Sequence, residues 1–501
     1  MANNARLNTF FSLLLQFITA ITGLILPQLF IRTYGSDING VVTSITQFIS
    51  YLSLVEAGIG AASIAALYKP LDQNNSSLVN KILSTTKKFY QKSGITFIFL
   101  ILFLIVFYPL MTKNQIDPLT TIWMILILSM SALCDYFILG KYRVLLTADQ
   151  HFYIINFYQI LGTIINLIVT IILIYLNFDI ITVKAVSTIV YICRAYFVIR
   201  YVKKKYKYLD FNVDTDKSLI SQRWDALMHQ VAGLIVVNSG IVLLTLFGYD
   251  FKEISVFTIY NMIIQVLNNL LMSFYSALTP TFGNIIAKNN QNKLDKFYSY
   301  YEFLFFILLF SVSLTYLFLI LPFMSLYTQG ISDAQYIRLD YAVAGAGVIL
   351  AFNLYDPSMT LINGSGHYRQ TRNYSIICAI INVVTSLFSI ALFGPVGVFI
   401  AEICSQLFID FAFIIYNSKK IVHNSLRRTV KRLLINFTLF FVILFVYINY
   451  ININITNFIV WTIFGFVFSL SFILVYCLCN LVFDISLFKS FIKIIKAKYI
   501  K

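Results

Sequence analysis

The 501 residues are 59% hydrophobic and only 12% charged, with a mean hydropathy of +0.81, whereas an ordinary soluble domain carries roughly 25% charged residues. That balance excludes a soluble globular protein. The net charge of +16 does not indicate nucleic acid, because Lys and Arg sit in short pieces between apolar runs, where a membrane protein keeps them.

In chain order the apolar runs fall near residues 7–31, 39–67, 94–111, 119–140, 152–176 and 184–202. They continue near 226–247, 255–282, 300–322, 340–362, 374–393 and 397–416, with a further pair near 433–451 and 458–483. Most approach or exceed the roughly 20 residues that cross a bilayer as a helix. The first run is too long for a signal-peptide core and has no small-residue cleavage site, so it is expected to stay as helix one. The fold expected is all-α: a polytopic membrane protein of about 14 transmembrane helices, two six-helix bundles in parallel repeat plus two C-terminal helices. The corresponding domains are an N-terminal bundle over 1–205, a cytoplasmic linker over 206–225, a C-terminal bundle over 226–417, and accessory helices with a basic tail over 418–501.

Topology follows from the retention of Lys and Arg in short cytoplasmic loops. Of the 37 basic residues, only Arg32, Lys113, Lys184, Lys252 and Arg338 fall on the opposite side of this map, so both termini are expected in the cytoplasm. The densest basic loop, Arg200 to Arg223 with Lys203, Lys204, Lys205 and Lys207, lies between helices six and seven, where it serves as a topological anchor or as an anionic-lipid contact. Near the C-terminus, Phe488, Phe491, Ile492 and Ile495 recur at helical spacing opposite Lys489, Lys493 and Lys496, the pattern of a helix lying on the membrane surface.

Two similar halves should share landmarks at a constant offset. Gly35-Ser36-Asp37 and Gly248-Tyr249-Asp250 follow helices one and seven. His151 and His367 precede helices five and eleven, and Ile165-Asn166 and Ile381-Asn382 repeat that second offset inside the same helices. An even number of helices per half makes the repeats parallel. A cavity between two such bundles, opened to each side in turn, is a transporter's geometry.

There is no phosphate-binding P-loop, no HExxH helix and no serine elbow, so no enzyme activity and no cofactor are expected. The six cysteines lie in apolar runs and form no disulfide framework; Cys477 and Cys479 point apart on one helix with no histidine nearby, so no metal site is expected there.

The remaining candidates are ionisable groups inside apolar helices, each costly unless paired or wetted. Glu56 lies well inside helix two among glycines and alanines; it reads as a cavity carboxylate for a proton, a cation or a sugar hydroxyl, or as a packing hydrogen bond. Asp356 precedes Pro357 in helix ten, where proline frees a carbonyl and makes either a binding break or a plain kink. Arg194 reaches a phosphate in a cavity or snorkels to the headgroups. Arg6 and Arg32 bracket helix one as mouth cations or as anchors. Asn261, Gln265 and Asn268 share a face of helix eight that must be wet or bonded. Glu402, Asp135 and Asp410 are secondary candidates, placed by depth near the headgroups.

The segment Glu56-Ala57-Gly58-Ile59-Gly60 leading to Leu67-Tyr68-Lys69-Pro70-Leu71, the run Leu145-Leu146-Thr147-Ala148-Asp149-Gln150, and the six-plus-six duplication together resemble polysaccharide-export flippases. These belong to the multidrug/oligosaccharidyl-lipid/polysaccharide exporter superfamily, and the likeness is to its Wzx-type branch for O-antigen, capsule or teichuronic-acid repeat units. It spans essentially the whole chain. It implies a V-shaped pair of bundles, a polar or cationic cavity, and alternating access coupled to a proton, sodium or voltage gradient. The substrate implied is an undecaprenyl-pyrophosphate-linked oligosaccharide in a bacterial cytoplasmic membrane, with a polysaccharide polymerase and glycosyltransferases as partners. On that reading Arg194 or Arg32 holds the pyrophosphate, and Glu56 and Asp356 respond to the coupling ion. Lipid II flippases carry an arginine cluster in helices one, two and eight, and many drug antiporters an acid in helix one; here helices two and eight lack arginine and helix one lacks an acid.

Overall fold

The structure, a computed structural model, describes residues 2–112, 115–216, 219, 239–288, 290–422, 426–450 and 455–483. Every regular element among them is a helix. Twelve are long and apolar enough to cross a membrane. The two other expected spans have specific explanations: the run near 226–247 lies mostly outside the described residues, and the run near 340–362 is cut into two short helices. The surface helix expected from Asp484 onward also lies outside the described residues.

By internal contacts the chain forms two compact units, Met1–Thr258 and Ile259–Lys501. The first contains α1 (Ala2–Tyr34), α2 (Ser36–Leu52), α3 (Ile59–Asp72), α4 (Ser76–Met111), α5 (Pro118–Cys134), α6 (Gly140–Ala148), α7 (Phe152–Tyr175), α8 (Ile180–Lys205), α9 (described over 239–246) and the start of α10 (Phe251–Ala287). Side chains set where these helices begin. Asn75 caps α4 by accepting from Leu78 N at 3.0 Å, and Asp117, followed by Pro118, caps α5 by accepting from Thr120 N at 2.9 Å. Each such cap satisfies a backbone donor that the helix cannot. Inside the unit, apolar faces pack α1 on α7 and α5 on α8. Small hydroxyls join the rest: Tyr108 Oη donates to Ser44 Oγ at 2.8 Å, Ser44 Oγ lies 2.7 Å from Thr245 Oγ1, and Asn39 Nδ2 donates to Ser255 Oγ at 2.8 Å.

The chain beyond α8 folds back on this unit. Tyr206 Oη donates to Asp149, Asn80 Nδ2 to the Tyr208 carbonyl at 2.9 Å, and Asp216 N to Thr85 Oγ1 at 3.0 Å, while Lys81 pairs with Asp216 at 3.5 Å. Burial, then the Asp149 bond, holds the Tyr206 phenol above its usual range, so it remains a donor.

The second unit is organised on α11 (Gln291–Tyr327), which is buried along most of its length. Around it stand the rest of α10, α12 (Leu339–Asn353), α13 (Asp356–Ser365), α14 (Tyr368–Phe393), α15 (Val396–Lys420), α16 (Leu426–Tyr450) and α17 (Phe458–Phe483). The last two are fastened to it: Trp461 Nε1 donates to the Leu319 carbonyl at 3.0 Å, Phe318 meets Tyr447 with ring centres 4.3 Å apart, and Asn480 Nδ2 donates to Asn436 Oδ1 at 2.8 Å.

The repeat expected from sequence landmarks is visible in the backbone. Gly35 and Gly248 both have positive φ (90° and 76°), as do Gln150 and Gly366 (57° and 72°) and Asn177 and Gly394 (58° and 66°). Both histidines close a helix end the same way, His151 N donating to Leu146 O at 2.8 Å and His367 N to Ile362 O at 3.1 Å. Glycine tolerates positive φ without a Cβ clash, which explains why it recurs here, with Gln150 and Asn177 as the two exceptions.

Candidate functional site

Three membrane helices are interrupted, and each interruption carries an acid. Helix two, expected as one span over 39–67, ends at Leu52, tightens into a 3-10 turn over Ser53–Glu56, and restarts at Ile59 after Gly58 at φ 80°. Helix four contains a π turn over Asp135–Leu139 between α5 and α6. Helix ten breaks at Leu354 and Tyr355, and α13 begins on Asp356 with Pro357 in its first turn. α6 begins at Gly140 and α13 at Asp356, the same 216-residue offset that relates Gln150 to Gly366, so the interruption itself is part of the repeat. Irregular backbone at this depth is tolerated where protein or a wet cavity receives its polar groups.

In the first unit, Glu56 and Asp135 line a cavity of about 330 Å³ with Thr46, Ser50, Ser53 and Tyr191. Arg143 Nη2 bonds Asp135 Oδ1 at 2.5 Å. On a regular helix, residues eight apart face about 80° apart. The π turn absorbs one residue, which brings Arg143 under Asp135 two turns away, and its side chain reaches back toward the helix N-terminus. Glu56 makes no hydrogen bond or ion pair among the described residues. The Arg194 guanidinium lies 4.1 Å over the Tyr191 ring, and a Cβ added to Gly162 would stand 3.2 Å from Arg194 Cδ; Arg194 therefore packs against Tyr191 and α7 beside the cavity.

In the second unit Asp356 is 3% exposed and Asp410, on α15, 2%. Asp410 lies against the Tyr355 backbone and within electrostatic reach of Asp356. Both Asp410 oxygens and Asp356 Oδ2 lack hydrogen-bond partners among the described residues. Buried carboxyls with oxygens left unsatisfied are costly as anions and are accommodated by a proton or a bound cation. Neighbouring hydroxyls complete the surroundings, with Tyr298 Oη 3.4 Å from Ser358 Oγ and Tyr301 Oη 3.1 Å from Thr360 Oγ1.

The other expected residues are placed differently. Asn353 Nδ2 donates to Asn268 Oδ1 at 2.9 Å, so Asn268 ties α10 to the last residue before the break. Gln265 lies 3.5 Å from Asn261 Oδ1, both half-buried. Arg6 and Arg32 are exposed at opposite ends of α1. The headgroup placement expected for Glu402 and Asp410 is overturned, since both are buried within the unit, at 3% and 2% exposure. Reasoning from sequence passed over Arg143 as a partner for Asp135, because an eight-residue spacing carries no pairing signal on a regular helix.

No family profile matches the sequence, and no curated protein matches it. Solved structures do. The lipid II flippase MurJ, in an inward closed conformation, matches with a TM-score of 0.68 at 16% identity over 96% of this chain and 100% of its own. A multidrug resistance MATE family transporter of the MOP superfamily, inward-facing, matches with a TM-score of 0.67 at 14% identity over 83% of this chain and 96% of its own. A MOP superfamily transporter from Pyrococcus furiosus matches with a TM-score of 0.54 at 14% identity over 84% and 94%. The chain is thus a multi-pass helical membrane protein with the fold shared by the MATE and MurJ transporters.

Proposed function

We propose that this protein is a flippase that moves an undecaprenyl-pyrophosphate-linked oligosaccharide repeat unit from the inner to the outer leaflet by alternating access, driven by an ion gradient or the membrane potential. The observation that carries this reading is the pair of unpaired acids at interrupted helices, Glu56 and Asp356, in a fold matched by a lipid-linked-substrate flippase over 96% of the chain. A polar headgroup crossing about 30 Å of hydrocarbon needs polar walls while its tail stays in lipid. Asp356, with Asp410, takes the coupling-ion role, and Glu56 is the second coupling candidate. Arg194 or Arg32 helps hold the pyrophosphate outside the cavity that Glu56 lines, with Arg6 as a cation at the other end of helix one. Asn261, Gln265 and Asn268 belong to the polar face of the second unit.

The same reading places the protein in a bacterial cytoplasmic membrane with both termini inside, its bundles over 1–205 and 226–417, and a polymerase and glycosyltransferases as partners. Two alternatives share the fold: a cation-coupled multidrug antiporter, favoured by acidic groups in both units, and a lipid II flippase, favoured by the structural match. Depletion in the native cell separates the three. Lipid-linked repeat units accumulating on the inner leaflet support the proposal; accumulating lipid II, or drug sensitivity with neither, overturns it.

A further inference from the structure

The cavity of the first unit is a surface of hydrogen-bond acceptors. Thr46 Oγ1 donates to Val42 O at 2.6 Å, Ser50 Oγ to Thr46 O at 2.9 Å, and Ser53 Oγ to Ser50 O at 2.7 Å. Ser131 Oγ donates to Leu128 O at 3.0 Å and Tyr136 Oη to Ser53 O at 2.9 Å. A hydroxyl has one proton; once it is given to the backbone, only lone pairs remain for a ligand. A carboxyl keeps acceptor lone pairs in either protonation state, which adds Glu56 and Asp135. Two further donors, Arg143 beside the wall and the Tyr191 hydroxyl on it, are both taken up by Asp135.

Such a wall is wrong for a pyrophosphate, itself made of acceptors and anionic. It suits a molecule rich in O–H and N–H donors. A bulky organic cation would also find acceptors, but Arg143, bound to Asp135 and within electrostatic reach of Glu56, weakens the wall's hold on one. Ile49, Leu128, Ala132 and the Tyr191 ring give the cavity an apolar side, which is what the C–H face of a pyranose requires. At about 330 Å³ the space is at the small end of ligand pockets, roughly 300–1,000 Å³, so it takes one ring and not a repeat unit.

We infer that this cavity binds a single uncharged sugar ring of the translocated lipid, its hydroxyl and amide groups donating to Glu56, Asp135 and the spent hydroxyls, while the phosphates are held outside it. This rests on the flippase reading and names which part of the substrate the first unit reads.

The test is saturation-transfer NMR on the purified full chain in nanodiscs, with methyl glucoside and methyl N-acetylglucosaminide as probes and inorganic pyrophosphate and tetraphenylphosphonium as competitors. At least one glycoside should give a transfer signal that neither competitor reduces. Glu56→Ala should weaken it about tenfold, the loss of one hydrogen bond to a charged group, and Ala132→Phe, which fills the space, should abolish it. Should Ala132→Phe not fold, Ser131→Val serves as the second variant and should weaken the signal. A glycoside signal absent in the wild type, displaced by tetraphenylphosphonium, or unchanged in the variants overturns the inference. If lipid-linked repeat units nonetheless accumulate on depletion, only this cavity assignment falls; if they do not, the flippase reading falls with it.

Discussion

Arg432 on α16 meets Glu302 on α11 at 2.7 Å, with the two side chains 3% and 0% exposed. Thr429 Oγ1 donates to the other carboxylate oxygen at 2.6 Å, and Arg432 Nη1 and Nη2 donate to the Ser299 carbonyl and hydroxyl, each at 3.0 Å. The pair fastens α16 to the core of the second unit, so α16 and α17 are part of that unit's framework.

Removing one partner of such a pair leaves a buried charge and costs about 3–5 kcal/mol, whereas replacing both with apolar residues is often neutral. Arg432→Met alone should therefore lower the melting temperature in detergent sharply, and Arg432→Met with Glu302→Leu should recover most of the loss. Equal damage from the single and double variants would show that the pair does not act as a unit.

Gly58 sits at φ 80° immediately before α3. A left-handed conformation costs a residue with a Cβ about 1–2 kcal/mol, so Gly58→Ala should destabilise by that amount or straighten the break. Transport should fall more than stability, because the break sets the position of Glu56. A variant with normal transport would separate the break from function.

Asp179 caps α8, its Oδ1 accepting from Thr182 Oγ1 at 2.5 Å and its Oδ2 from Thr182 N at 3.1 Å. These bonds hold its carboxyl below the ordinary value of 3.8. A depressed carboxyl contributes stability above its unfolded pKa and loses it as pH falls through the folded value. Asp179→Ala should cost about 1 kcal/mol at neutral pH, and the difference from wild type should vanish in acid. Thermal melts across pH 2 to 7, roughly the range over which a carboxyl titrates, check this.

The spans and the repeat were legible because bilayer thickness dictates run length and because turn residues such as Gly35, Gly248 and Gly366 mark loop ends directly. The interruptions were not. Glu56-Ala57-Gly58 reads as helix by hydropathy, and only its backbone shows a 3-10 turn followed by a left-handed glycine. The Asp135–Arg143 bond depends on one residue absorbed by a π turn, and the Glu302–Arg432 bond joins positions 130 residues apart; neither spacing is a helical signature. Asp410 was assigned to the headgroups from its distance to the helix end, which carries no information about whether lipid or α13 faces it. Glu56, Asp356 and Arg194 were singled out by charge within apolar sequence, and each lies at or beside an interruption or cavity wall.

The measurement closest to the central claim is translocation of an undecaprenyl-pyrophosphate-linked oligosaccharide in proteoliposomes with an imposed ion gradient, comparing wild type with Asp356→Asn and Asp410→Asn. The account predicts gradient-dependent flipping by the wild type, and by each variant a residual rate that the gradient no longer accelerates. Gradient-accelerated flipping by both variants, or none by the wild type, would contradict it.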